Sequence, residues 1–542
     1  MLKLNNYYSV SFSPDSFEDR KENIKILLIL LVFSFCLTLT MGTDGWFRQP
    51  TLRGDSAWFF MGGKSWMSGL IPYHDFTDSK GPLLWLIYGL GFLISPHNFY
   101  GVFIFEVISY WLTFYIVYRT AWLLIKKSPQ ALCISLAMAP FYFFPGMHSE
   151  MRVEDFAHLF MAISFYVLLK SIYFSQFKIK YALWLGIASG CTILLKFSLF
   201  FLISFPSAAV FIYLITKKRE YFRFLSFYLS GLLLIILPFF LYFLYMGAFE
   251  DFINEYFVNT TKTIINLQSS EETTLVSLRH KWPYRAICLF FPTHFLATFL
   301  RFTLIGLLVL IFICRRNLWF VISLITWFVF SMLLLSSVES EFYFFPLSIF
   351  SIGICFLVGY FFKGIDKAGN LIWGGIILGF MTVISISYRY SFFNNPTRDS
   401  IVNSSKEDIA RIINNQETIT GRRPTILYYE CIDLGEHIPT NSLPGTRYWA
   451  KQAGMTENML QSHKEAVIND KPDFIFFEII EKKQNNLDIK SIIQDKTSEW
   501  DKLGYHIVYM YNTLPLMESD EIRLRFLLRR INLKPEGTSI PG

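Results

Sequence analysis

From Ile24 to about residue 388 the chain alternates long apolar runs with short polar breaks, and then the pattern stops. Eleven runs read as membrane helices: 24–41, 100–125, 131–146, 157–174, 181–197, 198–216, 224–246, 296–313, 318–337, 344–362 and 369–388. About 20 residues are needed to cross the hydrocarbon core, so the shorter runs have loose ends. One further run, Gly81–Ser95, "GPLLWLIYGLGFLIS", reaches only about 22 Å against a core of about 30 Å. It is expected to lie in the interface, inside one long loop over 42–99.

Beyond Arg389 the periodicity is that of a soluble fold. "SKEDIARIINNQ" carries Ser405 and Asp408 in a capping-box pattern ahead of an amphipathic helix. "TILYYE", "FIFFEII" and "YHIVYMY" are β-rich runs, set apart by helix-like stretches at 456–470 and 489–503. Gly504 is placed to end the second of these. The fold class predicted is therefore mainly α, a polytopic membrane protein of about eleven transmembrane helices over 1–388. A C-terminal α/β domain over 389–542 follows it.

Composition agrees. The chain is 53% hydrophobic and 18% aromatic, and only 17% charged, whereas soluble domains are nearer a quarter charged. The net charge of +7 does not point to nucleic acid, because the basic residues sit in short clusters between apolar runs. These clusters are Arg20/Lys21/Lys25, Lys126/Lys127, Lys178/Lys180, Lys217/Lys218/Arg219/Arg223, Arg315/Arg316 and Lys363/Lys367. If 81–95 does not cross, all of them fall on one side, and the short loops opposite hold only Arg152 and Lys196. The positive-inside rule then predicts a protein of the cytoplasmic (inner) membrane. Its N-terminus is cytoplasmic and its C-terminal domain periplasmic or otherwise extracytoplasmic. The first run lacks a small-x-small cleavage site and reads as a retained anchor. The seven cysteines lie mostly inside apolar runs and suggest no disulfide framework.

Candidate chemistry gathers on the outer side. Asp55 in "LRGDSAWFF" stands just past the first span. It reads either as a carboxylate held at headgroup depth or as the cap of a following helix. "YHDFTDSKGP" places Tyr73, His74, Asp75, Asp78 and Lys80 before the short interfacial run. Lys80 fits a phosphate as a point charge, or it snorkels from a wet loop. "HSEMRVEDFAHLF" brings Glu154 and Asp155 to the start of a span, where acidic residues also complement the helix dipole. Lys196 ends "GIASGCTILLKF" at a tight hairpin, against the charge trend, and ionisable groups at membrane depth are functional suspects. Arg279 and Arg285 flank "HKWPY" in the second long outside loop. No phosphate-cradling glycine loop, zinc-like spacing or nucleophile elbow is present in the sequence, so nucleotide-driven chemistry is not expected and no cofactor is indicated.

Taken together, "GDSAWFF", "GLIPYHDFTDSKGPLL", "SEMRVEDFAHLF" and "LLKFS" resemble the GT-C superfamily of integral-membrane glycosyltransferases. The similarity is to the branch containing protein O-mannosyltransferases and the lipid A aminoarabinose transferase. The resemblance implies a polyprenyl-phosphate sugar donor and a glycan, lipid or protein acceptor. It makes Asp55 the base toward the acceptor, with Glu154, or its neighbour Asp155, as the second acidic residue. Tyr73, His74, Asp75 and Asp78 would position sugar or acceptor, while Lys196, with Lys80, Arg279 or Arg285, would meet the leaving phosphate. Relatives commonly have His-Pro-Pro or Lys-Pro-Pro where this chain has Lys80-Gly81-Pro82, and Asp-Glu where it has Asp55-Ser56. Metal use stays open, because relatives that cleave pyrophosphate donors use a divalent ion. Two rival classes are a transporter or flippase of lipid-linked saccharide and a surface-polysaccharide ligase or polymerase. The first would place ionisable groups along a midplane path and usually shows internal repeats, neither of which is read here.

Overall fold

Apolar runs of this length leave the backbone no partner but itself in lipid, so helices dominate. The computed structural model describes residues 20–41, 55–142, 152–262, 290, 295–335, 341–361, 396–451, 457–469, 472–482, 489–512 and 521–531. In chain order the first helices are α1 (Arg20–Met41), α2 (Asp55–Met67), α3 (Pro82–Ile94), α4 (Tyr100–Ile125), α5 (Ser128–Leu136) and α6 (Ala139–Tyr142). They are followed by α7 (Val153–Leu168), which runs on as a π-helical turn at Leu169–Tyr173, then α8 (Ile179–Leu195), α9 (Phe197–Thr216) and α10 (Tyr221–Tyr245). A short α11 (Phe249–Phe252) leads into a second π segment, Ile253–Asn259. Next come α12 (Phe295–Cys314), α13 (Leu318–Leu335) and a 3₁₀ segment, Glu341–Ser351, that passes into α14 (Ile352–Phe361). Among the described residues seven helices are long and apolar enough to cross a membrane, and the protein is an integral membrane protein. The side of α10 carrying Leu229, Leu233, Leu237 and Leu241 is exposed at four-residue spacing, an apolar stripe turned toward lipid.

Three expectations change. The run 131–146 is not one helix: α5 stops at Leu136 and α6 covers only four residues. Pro140 lacks the N–H that a continuing helix needs, and its ring crowds the preceding turn. The gap left between the runs 224–246 and 296–313 is helical from Phe249 to Asn259, and the gap between 318–337 and 344–362 is already 3₁₀ from Glu341. The span expected at 369–388 lies outside the described residues.

The soluble part begins with α15 (Pro396–Thr420), nine residues ahead of Ser405, so Ser405 lies inside the helix and does not cap it. Strands β1 (Thr425–Tyr428) and β2 (Leu443–Pro444), helix α16 (Glu457–Ile468), β3 (Phe474–Lys482), α17 (Ile489–Lys502), β4 (Tyr505–Asn512) and β5 (Glu521–Arg530) complete it. The sheet order is β2-β1-β3-β5-β4. β1 runs parallel to β2 and β3, and β5 runs antiparallel to β3 and β4. Gly504 ends α17 with φ of +87°, a backbone state that costs a glycine little.

Side chains alternate across a strand, and here the alternation has two destinations. Ile475, Phe477, Phe526 and Leu528 pack with Trp500 of α17 in a separate small core. Phe474, Phe476 and Leu527 belong to one continuous core with Trp58, Phe59 and Trp85 of α2 and α3. The sheet is therefore docked by one face on α2 and α3.

Candidate active site

Helix α2 begins at Asp55, and the next side chain on the same face, one turn on, is Phe59. Lys80 places its ammonium 5.6 Å from the centre of the Phe59 ring, a cation–π distance. The backbone N–H of Gly81 donates to the Leu195 carbonyl at 2.9 Å. Lys80 and Lys196 thus each stand one residue from a shared hydrogen bond. Lys196 in turn donates to Glu154 Oε1 at 3.1 Å, with the two side chains 14% and 3% exposed. Lys80, Lys196 and Glu154 come from three separate stretches and are joined by this chain of contacts, while Asp55 stands one turn before Phe59 on α2.

Gly81 makes the junction possible. A Cβ there would lie 2.0 Å from the Leu194 carbonyl oxygen, closer than any side chain tolerates. Close backbone approach to the end of α8 is the physical reason this position is glycine.

Glu154 and Asp155 are neighbours with different partners. Asp155 Oδ2 accepts the backbone N–H of Arg152 at 2.9 Å, closing the first turn of α7. Glu154 faces Lys196. The structure therefore gives Asp155 a capping task and leaves Glu154 as the carboxylate on the cationic side.

The loop 68–80 divides similarly. Tyr73 has no exposed surface and sits at φ +66°. Its hydroxyl donates to the Lys80 carbonyl at 2.9 Å, and its ring packs on Trp85, Phe243, Phe252 and Tyr256. The ring is enclosed by these aromatics, and its hydroxyl holds the Lys80 backbone. Asp75 Oδ2 accepts the Ile71 N–H at 2.7 Å and braces its own turn. Asp78 Oδ1 accepts from the Ser79 N–H and hydroxyl, beside Lys80, whose ammonium donates to the Ser79 hydroxyl at 3.2 Å.

His74 is tied elsewhere. Its Nδ1 lies 2.7 Å from Asp251, and Arg447 reaches both Asp251 at 3.1 Å and Glu255 at 3.0 Å. Tyr448 donates its hydroxyl to Glu255 at 3.0 Å, and the Arg447 carbonyl accepts the Thr77 N–H at 3.0 Å. Partial burial pushes the Asp251 carboxyl up, but the His74 hydrogen bond and the Arg447 guanidinium outweigh it and leave it below its ordinary value. The sequence reading missed Asp251, Glu255 and Arg447. The four-residue spacing in "FEDFINEYF" was a usable signal for the first two; nothing local marks Arg447.

Two more polar groups went unread. In the bundle, His158 lies between the Tyr142 hydroxyl at 2.5 Å and the Ser348 hydroxyl at 2.8 Å, and the Tyr142 ring packs edge-on to Tyr110 at 5.0 Å. On α2, Lys64 is 1% exposed. Arg279 and Arg285 lie outside the described residues. Among the described residues, no group of three or more His, Cys, Asp or Glu is placed to hold a metal ion.

Comparison with known proteins bears on this arrangement. Residues 79–245, under a third of the chain, match the family model described as dolichyl-phosphate-mannose-protein mannosyltransferase. The structure is similar to that of ArnT from Cupriavidus metallidurans in the apo state, with a TM-score of 0.53 and 11% identity, covering 93% of this chain and 97% of that one. Weaker likenesses are to the same protein bound to undecaprenyl phosphate (TM-score 0.45, 13% identity, 93% and 97% covered). Another is to the archaeal oligosaccharyltransferase AglB from Archaeoglobus fulgidus in complex with an inhibitory peptide and a dolichol-phosphate (TM-score 0.43, 10% identity, 89% and 70% covered). No curated protein sequence matches the chain. The resemblance to the GT-C glycosyltransferases is borne out by the family match, and the fold is the ArnT-like GT-C fold.

Proposed function

We propose that this protein is a membrane glycosyltransferase that moves a sugar from a polyprenyl-phosphate donor to an acceptor hydroxyl at the outer face of the cytoplasmic membrane. The acceptor is a glycan, a lipid or a protein. In this reading the N-terminus is cytoplasmic, and residues 389–542 form an extracytoplasmic domain over the membrane-embedded residues 1–388. What carries it is the junction of Gly81 with Leu195. That hydrogen bond sets two lysines and the Glu154 carboxylate beside the helix that begins with Asp55, within a chain of GT-C fold.

The chemistry follows from charge. Asp55 takes the proton of the acceptor hydroxyl while that oxygen forms its bond to the anomeric carbon. The bond from that carbon to the phosphate oxygen breaks on the opposite face, so the configuration inverts. Lys196 and Lys80 stabilise the negative charge that grows on the departing polyprenyl phosphate. Glu154 keeps the Lys196 side chain turned toward the junction. The lipid tail lies among the apolar helices, and orientation of two bound reactants contributes up to roughly 7–11 kcal/mol in the best cases.

The test is transfer from a labelled polyprenyl-phosphate sugar in membranes carrying Asp55→Asn. Transfer should fall by roughly 10²–10⁴-fold while the protein is still inserted and folded. Undiminished transfer by that variant would remove Asp55 as the base.

A further inference from the structure

Helix α2 is held between two partners. One face turns to α3: Phe59 packs edge-on to Tyr88 at 5.5 Å, and a Cβ on Gly62 or Gly63 would collide with Trp85 or with the Tyr88–Gly89 backbone. The opposite stripe is Ala57, Phe60, Met61 and Lys64, spaced as one face of a helix; Ala57 and Lys64 meet the soluble part, while Phe60 also packs on Phe99 and Phe92. A Cβ added at Gly435 would lie 3.3 Å from that of Ala57. The Phe60 ring stands 6.5 Å from the His437 ring, and Trp58, beside the stripe, tilts against Trp449 at 4.2 Å.

Lys64 is the unusual member. Its ammonium is buried and donates to the carbonyls of His437 and Thr440, both at 3.1 Å. A membrane-proximal lysine ordinarily sends its head to water, and burying it is costly unless the partners are fixed. These partners are fixed from the sheet side. Glu436 pairs with Arg525 of β5 at 2.7 Å and accepts the Tyr511 hydroxyl of β4. Asp433 accepts the Gly435 N–H at 2.7 Å and lies 3.0 Å from His437 Nδ1. Thr440 closes the turn on the His437 carbonyl at 2.8 Å. A continuous set of contacts therefore runs from β4 and β5, through 433–440, to the helix that starts with Asp55.

We propose that the segment 433–449 is a clamp by which the C-terminal sheet fixes the position of Asp55, with Lys64 as the positioning residue that the clamp grips. The clamp rests on the transferase reading only for its effect on rate; the grip on α2 stands apart from it. On this view the soluble domain is part of the active-site scaffold.

The experiment compares full-length wild type, Lys64→Met and Lys64→Gln. The first variant keeps the length and removes the donor; the second keeps an N–H donor on a shorter arm and serves where the first does not fold. Two quantities are read: kcat and donor KM with a labelled polyprenyl-phosphate sugar, and hydrogen–deuterium exchange of the α2 backbone. Lys64→Met should lower kcat roughly tenfold to a hundredfold, the loss expected from a small misplacement of a reacting group, with donor KM unchanged. Exchange over residues 55–67 should rise, while the α17 and β5 amides stay protected. Lys64→Gln should fall between. Asp55→Asn should lose transfer without any change in α2 exchange. A folded Lys64→Met with wild-type kcat and unaltered α2 exchange overturns the clamp. If wild type itself shows no transfer while α2 loosens in Lys64→Met, the transferase reading fails and the clamp survives.

Discussion

The pair Lys196–Glu154 gives the sharpest quantitative prediction. Glu154 is 3% exposed and Lys196 14%, so replacing the lysine head leaves a carboxylate where water scarcely reaches. Breaking one side of a buried pair costs about 3–5 kcal/mol, close to the whole of a marginal stability. Lys196→Met and Glu154→Gln should each destabilise the protein by about that amount in an equilibrium unfolding measurement in mixed detergent micelles. The double variant leaves no buried charge behind. It should therefore be more stable than the sum of the singles predicts, by about 2–3 kcal/mol, within the range of measured coupling between contacting residues. In the same membranes Lys196→Met should raise donor KM, because the cation proposed to meet the phosphate is gone. Singles that add to within about 0.5 kcal/mol would refute the reasoning, since the two groups would then not share a desolvated environment.

Gly81→Ala should cost about 1–3 kcal/mol and lower transfer, because its Cβ meets the Leu194 carbonyl at 2.0 Å and must push Lys80 away from Lys196; melting and transfer assays on one preparation check both. The pH dependence of stability should carry the signature of Lys64. Burial lowers its pKa from 10.5 to about 7, with Asp433 opposing that shift and Arg423 adding to it. Between those two values the unfolded chain binds the proton and the folded chain does not, so this group makes stability rise as pH rises above about 7. The melting temperature of Lys64→Met relative to wild type should therefore be most favourable near pH 6 and decline toward pH 9. A pH-independent difference would count against a desolvated ammonium.

The sequence by itself determined the broad architecture, because that depends on local pattern. Apolar runs of about 20 residues have only one way to satisfy their backbone in lipid. The alternation in "FIFFEII" and "YHIVYMY" and the stop at Gly504 are equally local, and β3, β4 and α17 form where these signals place them. β5 was missed, although "EIRLRFLLRR" alternates apolar and charged residues; its pairing with β3 across a long separation is what makes it a strand. Asp55, Lys80, Glu154 and Lys196 were legible as suspects because charge beside an apolar run is rare. The approach of the Lys80 segment to Lys196 and Glu154 was decided by the tertiary structure, through the Gly81–Leu195 contact between segments far apart in the chain. The same holds for Tyr73, which looks like a polar loop residue and is buried by aromatic rings from α3, α10 and α11 and the π segment after it. It holds most for Lys64, whose partners are two carbonyl groups more than 370 residues away. Backbone carbonyls have no sequence signature, so only packing could reveal what that lysine holds.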